Sequence, residues 1–263
     1  MILVLHQEGT DMKKILKWMA GILAVIIIGL GIASFPTLMR GYRMYQDAVE
    51  QCSLSDKVAE IQSRSDYITL DEVPLAYQKS LLHSEDRRFY LHAGVDPIAL
   101  VRAVFNDIKA GSYVQGGSTI DQQLAKNLYF DFGKTLDRKA AELFVVHDLE
   151  SNYTKNEILE LYINIAYYGN GNYGLKSASL YYYNVTPDQL NQDQINALVY
   201  TLKAPSVNNP KDRSETIPQS GLTTVGSNLN TAVDQFAETF MKTLNEIVSL
   251  HSPSDLLIPV FAN

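Results

Sequence analysis

Cysteine is almost missing from this chain. Cys52 stands alone in 263 residues, so no intramolecular disulfide framework and no Cys-rich zinc or iron–sulfur site can form. Lysine and arginine never gather into a block, and 22 basic against 29 acidic side chains give a net charge of −7. That balance argues against a nucleic-acid binder. Low-complexity tracts are absent, and 46% hydrophobic with 19% charged residues excludes a wholly disordered or collagen-like chain. Strand-like alternation is sparse, no internal repeat occurs, and strands do not alternate with helices in βαβ order. At roughly 150 residues per domain the length allows one or two domains. Chemistry must therefore come from oxygen and nitrogen groups, or from binding.

What is present begins with an apolar run. Trp18 to Phe35, WMAGILAVIIIGLGIASF, carries no charge and is just long enough to cross ~30 Å of hydrocarbon as a helix. Lys13, Lys14 and Lys17 precede it, and Pro36, Arg40 and Arg43 follow. The excess of cations before the run favours a cytoplasmic N-terminus and an exported body. A cleaved signal peptide needs a small-x-small site, whereas Ala33-Ser34-Phe35 ends in a bulky residue. A buried core helix fits poorly with the lysine cluster and Trp18 at one end. The expectation is a cytoplasmic segment over 1–14, a single-pass anchor over 15–35 and a juxtamembrane stalk over 36–65. Met12-Lys13-Lys14 resembles the more usual start of such a segment.

The body reads as helices. Pro74 opens an apolar-periodic stretch from Leu75 to Leu82, and Pro97–Lys109 repeats apolar residues at helical spacing before Gly111. Gly116-Gly117-Ser118-Thr119 forms a turn in which Ser118 or Thr119 caps a helix over Ile120–Tyr129. Leu136–Tyr153 is amphipathic. Thr154 and Glu157 form a capping box opening a helix to about Tyr167. Further helices are expected at Leu175–Tyr183, Gln192–Lys203 and, after a polar stretch beyond Asn209, about Thr231–Leu250. The fold class is mainly α.

Four segments carry groups that exceed what helix bookkeeping requires. In Glu85-Asp86-Arg87-Arg88 the adjacent carboxylates follow an apolar helix and precede Phe89, Tyr90 and His92. A solvated helix end is the plain reading. If Phe89 and Tyr90 wall the acid, its pKa rises and it suits a general base. In Gly116–Asn127 two glycines let backbone amides approach a ligand, and the following helix N-terminus favours anions. Gln122 and Lys126, at i and i+4, share a face there. Arg138-Lys139-Ala140-Ala141-Glu142 is either a surface ion pair or a cationic grip on phosphate around a second carboxylate. Lys155 to Asn164 reads as a capped core helix.

Together and in this order, these segments resemble the peptidoglycan glycosyltransferases of family 51. The pattern EDxxFxxHxG is met from Glu85 to Gly94, GGSTIxQQLxKN from Gly116 to Asn127, RKxxE from Arg138 to Glu142, and KxxILExYxN from Lys155 to Asn164. The stretch from Tyr167 to Gly174 and the triplet Ala204-Pro205-Ser206 also look like family landmarks. The resemblance covers roughly Asp66 to Pro210, so a glycosyltransferase domain is expected over 66–210 and a divergent segment over 211–263. It implies a lysozyme-like helical large lobe and a small membrane-proximal jaw lobe after the transmembrane helix. It also implies polymerisation of lipid II into β-1,4 glycan strands, with release of undecaprenyl pyrophosphate at the outer face of the cell membrane.

By the same resemblance, Glu85 is the general base and Glu142 the second catalytic carboxylate, which orients the donor pyrophosphate region. Asp86, Gly117, Ser118, Thr119, Gln122, Gln123, Lys126, Asn127, Lys134, Arg138 and Lys139 bind substrate. No cofactor is obligatory, although a divalent cation (Mg²⁺ or Mn²⁺) assists some members at the pyrophosphate. The implied partners are lipid II, the growing glycan, the membrane and cell-wall synthesis proteins.

Departures are specific. Asp121 replaces the Thr usual between STI and QQ, adding negative charge near the expected pyrophosphate site. Ala141 stands where many members carry lysine, Lys134 where several carry arginine, and Gln194 near a usually acidic position. The fifth family motif, RRxxVLxxM, has no convincing match; Arg213 and the stretch Phe236–Ile247 are remnants. These departures support an alternative, a catalytically weakened membrane-bound lipid II-binding scaffold. A glycan hydrolase is chemically sensible with two carboxylates, but it has no use for a pyrophosphate-binding segment. No serine–x–x–lysine and KTG-like pair is found for a transpeptidase.

Overall fold

The computed structural model describes the backbone of residues 2–110, 116–130, 133 and 135–211. Lys134, Arg213 and the helix expected over Thr231–Leu250 lie outside the described residues. Within them the architecture is helical: α1 (Ile2–Gln51), α2 (Leu54–Gln62), α3 (Leu75–Glu85), α4 (Pro97–Ala110), α5 (Ile120–Tyr129), α6 (Leu136–Asn152), α7 (Lys155–Ile165), α8 (Leu175–Tyr183) and α9 (Gln192–Thr201). Short 3-10 turns cover Leu70–Glu72, Phe89–Leu91 and Pro187–Gln189. The one extended pairing among the described residues is an isolated antiparallel bridge between Tyr167 and Tyr173.

Side-chain caps set the helix starts. Thr119, Thr154 and Asn191 each accept a hydrogen bond from the amide three residues on, and Gln122, Glu157 and Gln194 reach back to close the box. Of the two candidates for capping α5, Thr119 does so and Ser118 does not. Pro74 sits one residue ahead of α3 as its cap rather than in its first turn. The α7 helix ends at Ile165, short of Tyr167, because the chain turns at Ala166.

α7 is the centre of the fold. Every residue from Ile158 to Ile165 except Glu160 is buried, the pattern of a helix covered on all sides. The α5 helix packs against both α6 and α7, and α3 packs against α9. Tyr77, Leu81, Leu124, Leu149, Ile158 and Leu198 meet in the resulting core. Asn164 secures the α2–α3 loop to α7 by accepting from the Ile68 amide at 2.9 Å and donating to its carbonyl at 2.8 Å.

The C-terminal half of α1 lies on α6. Gly41 makes this possible: a Cβ there would stand 2.5 Å from Ala140 Cβ and 2.8 Å from the Asp137 carbonyl oxygen, so only glycine lets the two backbones come this close. Tyr42 and Tyr45 then stack around Phe144, and the Tyr45 hydroxyl donates to Asp148 at 2.6 Å. Further toward the N-terminus the helix runs through Pro36. Among the side chains described there, Trp18, Val25 and Ile32 are 75, 70 and 71% exposed. Among the described residues no helix is long and apolar enough to cross a membrane.

Candidate active site

Glu85 is the last residue of α3. One carboxylate oxygen accepts from Gln123 Nε2 at 3.1 Å and the other from Ser84 Oγ at 3.2 Å. Gln123 is itself held, since its Oε1 accepts from the Tyr162 hydroxyl at 2.9 Å. The chain Tyr162–Gln123–Glu85 therefore joins α7, α5 and α3 and leaves the acid with an amide donor rather than a counter-cation.

The expected wall of Phe89 and Tyr90 is built otherwise. Phe89 is buried with Lys155 Nζ 4.3 Å over its ring, and Tyr90 is exposed and donates to Asn156. The aromatics that feel the Glu85 charge are the buried Tyr77, Tyr162 and Tyr168, whose hydroxyls are pushed up mainly by burial and further by Glu85. Tyr77 and Tyr168 hydrogen-bond to each other. Sequence reasoning missed these tyrosines. The available signal was Tyr162, a hydroxyl within an otherwise apolar helical run.

Asp86 turns inward. It is 7% exposed, accepts from the Ile120 amide at 3.0 Å, and pairs with His92 Nε2 at 3.0 Å. It thus satisfies one of the orphan amides at the start of α5 and fixes where the Gly116–Thr119 turn enters the helix. Thr119 supports the same junction through its hydroxyl, which donates to the Gly94 carbonyl at 2.6 Å. Gln122 and Lys126, at i and i+4 of the regular helix α5, share a face as expected. Gln122 is buried in the capping box, and Gln123, one residue on, points to Glu85.

Lys126, one turn beyond Gln123, lies among Arg138, Lys139 and Glu142 of α6. Burial depresses its pKa, Glu142 opposes that, and Arg138 and Lys139 add to it. Glu142 is 1% exposed. Lys139 Nζ donates to one of its oxygens at 2.8 Å and to Ser118 Oγ at 2.9 Å. Arg138 Nε stands 3.1 Å from the other, at ion-pair distance but outside hydrogen-bond geometry. Gly117 lies against α4, where an added Cβ would stand 3.3 Å from Ala103 Cβ and 3.4 Å from Leu100 Cα, and Asn127 is half-buried on α5. Three cations around one carboxylate leave a net positive cluster suited to phosphate oxygens. Glu142 faces cations, so the cluster does not fit a divalent ion held by the protein, which needs several free oxygen ligands.

Asp121 does not face this cluster. It is fully buried, 3.2 Å from Lys155 Nζ, which also pairs with Glu150 at 2.5 Å. The charge expected near the pyrophosphate instead lies on the far side of α5. Burial, followed by the hydrogen bond with Glu150, pushes the Asp121 carboxyl up to about 7, and Lys155 opposes this. Asp86, His92 and Asp121 lie close enough to suggest a metal site. Lys155 and the Ile120 amide already engage the two aspartates.

The site is thus an amide-held carboxylate joined through α5 to a cationic cluster within a mainly helical domain. A family model described as Transglycosylase matches residues 54–226, wider on both sides than the span of the motifs. The chain belongs to this transglycosylase family. It is 41% identical over 158 residues to the monofunctional glycosyltransferase of Staphylococcus haemolyticus, covering 59% of this chain and 58% of that protein. It is 39% identical over 170 residues to penicillin-binding protein 1F of Bacillus subtilis, covering 62% and 24%. With penicillin-binding protein 1A of Escherichia coli the identity is 42% over 143 residues, covering 54% and 17%. The chain thus spans just over half the length of the monofunctional relative and less than a quarter of these two penicillin-binding proteins.

Proposed function

We propose that this chain is a peptidoglycan glycosyltransferase of cell-wall synthesis that polymerises lipid II. Glu85 takes the proton from the 4-hydroxyl of the acceptor sugar as that oxygen attacks the anomeric carbon of the donor chain. The glycosidic bond to undecaprenyl pyrophosphate breaks with inversion, and a β-1,4 link forms. Lys126, Arg138 and Lys139 offset the charge that develops on the departing pyrophosphate, the kind of preorganised stabilisation that dominates many group transfers. Glu142 holds Arg138 and Lys139 in place. Ser118 and Gln123 meet substrate, whereas Asp86, Thr119 and Gln122 shape the turn that carries Ser118.

The observation that carries this reading is the placement of Gln123 and Lys126 on α5. Three residues apart, they stand about 4.5 Å apart along the axis, and they join the acid to the cationic cluster on one buried, doubly packed helix. Membrane anchoring by α1 belongs to the same proposal. Its exposed apolar run needs a cover, and a bilayer supplies one at the height of a lipid-linked substrate. The anchor, the jaw lobe and an extracytoplasmic body complete the reading. Purified protein given labelled lipid II should yield glycan strands and free lipid pyrophosphate. Lipid II binding with no polymer would mark a scaffold, and shortening of preformed glycan would mark a hydrolase; either result overturns the proposal.

A further inference from the structure

One face of α1 continues past the apolar run into a groove of about 560 Å³, a volume within the ~300–1,000 Å³ of small-molecule sites. Arg40, Arg43, Met44 and Asp47 line it from α1. They recur every three or four residues, and so share one helical face. Lys57 of α2 closes one side, and Leu128 and Tyr129 at the end of α5 form an apolar floor. The Tyr129 hydroxyl donates to the Cys52 carbonyl at 3.0 Å, tying the floor to the α1–α2 corner. Three cations against one carboxylate make the lining positive.

The groove's position is as informative as its charge. Arg40 lies five residues beyond Phe35, about 7.5 Å along the axis, and Arg43 lies about 12 Å beyond it. The headgroup layer outside the hydrocarbon is ~5–8 Å thick on each side. If the apolar run occupies the bilayer, Arg40 reaches the headgroups and Arg43 stands one turn above them. Arg40 is held by Asp137 at 2.8 Å, which fixes that edge of the groove. Arg43 is exposed, and Lys57 makes only a loose contact of 3.7 Å with Glu60.

We propose that this groove binds the phosphate headgroup of an anionic phospholipid, with the long side chains of Arg43 and Lys57 reaching down to the phosphate and Met44, Leu128 and Tyr129 beside the part of the headgroup that points away from the bilayer. The site lies on the face of α1 toward α2 and the end of α5, apart from the Lys126–Glu142 cluster. The inference rests on the membrane-anchor reading of α1. A bound lipid would fix the depth and rotation of α1, and through Gly41 and α6 the height of the site above the bilayer.

The test uses the full chain in mixed micelles of phosphatidylglycerol and phosphatidylcholine, followed by washing, extraction and quantification of retained lipid. Wild type should retain phosphatidylglycerol over phosphatidylcholine. The double variant Arg43→Gln, Lys57→Gln should lose about tenfold or more of that preference, on the scale of two surface cations, and Lys203→Gln should keep it. Equal preference in wild type and the double variant overturns the site. Binding of inorganic phosphate that the double variant loses, with no lipid retained by wild type, also overturns it and identifies a site for a free anion. Binding to vesicles of either composition is read separately. Failure of wild type to partition into any vesicle defeats the anchor reading, whereas partitioning without lipid preference defeats only the groove.

Discussion

Three buried or half-buried carboxylates in this protein do different work because their neighbours differ. Glu85 has an amide and a hydroxyl, Glu142 has cations, and Asp121 has a lysine and a second acid. Glu142→Gln should therefore lower both activity and stability, since it removes the buried negative charge that Arg138 and Lys139 face. The expected loss is about 2–3 kcal/mol, below the ~3–5 for breaking a fully buried pair, because Lys139 is 39% exposed and glutamine still accepts a hydrogen bond. Denaturant midpoints check this, and an unchanged midpoint would contradict it.

Asp121 predicts a pH dependence. Its carboxyl is raised to about 7 in the fold, so between the ordinary carboxylate range and pH 7 the native state holds a proton that the unfolded chain has released. Stability should fall as pH rises through that window. Glu150 is shifted down by Asp121 and Lys155, against burial, so its opposite-signed contribution is lost below its ordinary value of 4.5. Asp121→Asn should flatten the fall in melting temperature between pH 5 and 7.5, and an identical slope in the variant would contradict the assignment.

At the scale of elements, the junction that matters is the start of α5. Gly94 has φ +79°, and a Cβ there would meet Val146 Cγ1 at 2.2 Å. Its carbonyl accepts from Thr119, the cap of α5. Gly94→Ala should cost about 2 kcal/mol or more through strain and overpacking. It should also weaken catalysis by shifting the turn that carries Ser118. Melting and lipid II turnover measured together check this, and normal values of both would contradict it.

The helices themselves were legible in sequence because period and caps agree, as at Thr119–Gln122 and Thr154–Glu157. What could not be read was which side of α5 each polar residue faces. That depends on where α6 and α7 pack, so Gln122 closes the capping box while Gln123 reaches Glu85, and Asp121 meets Lys155 of α7. The partner of Phe89 was hidden for the same reason, because only the folded chain brings Lys155 over its ring. The four motifs named the candidate residues as a set, and the fold brings Gln123 to Glu85 and Lys126 to Arg138, Lys139 and Glu142. The Tyr162–Gln123–Glu85 relay, which depends on α3, α5 and α7 converging, was not legible.

Over the whole molecule the charge is arranged against its average. The chain is net acidic, yet cations converge at the Lys126–Lys139 cluster and in the groove beside α1. An apolar helix end leads directly to one and, by the close contact at Gly41, to the helix that carries the other. The central claim is that Glu85 is the base of a glycan-polymerising site whose anion-binding half works independently of it. The most direct measurement compares wild type with Glu85→Gln, following lipid II binding and strand formation in the same detergent samples. The account predicts that both proteins bind lipid II, that wild type makes polymer, and that the variant loses about 10²–10⁴-fold in rate, the usual contribution of a general base. Polymer from the variant at the wild-type rate would contradict it.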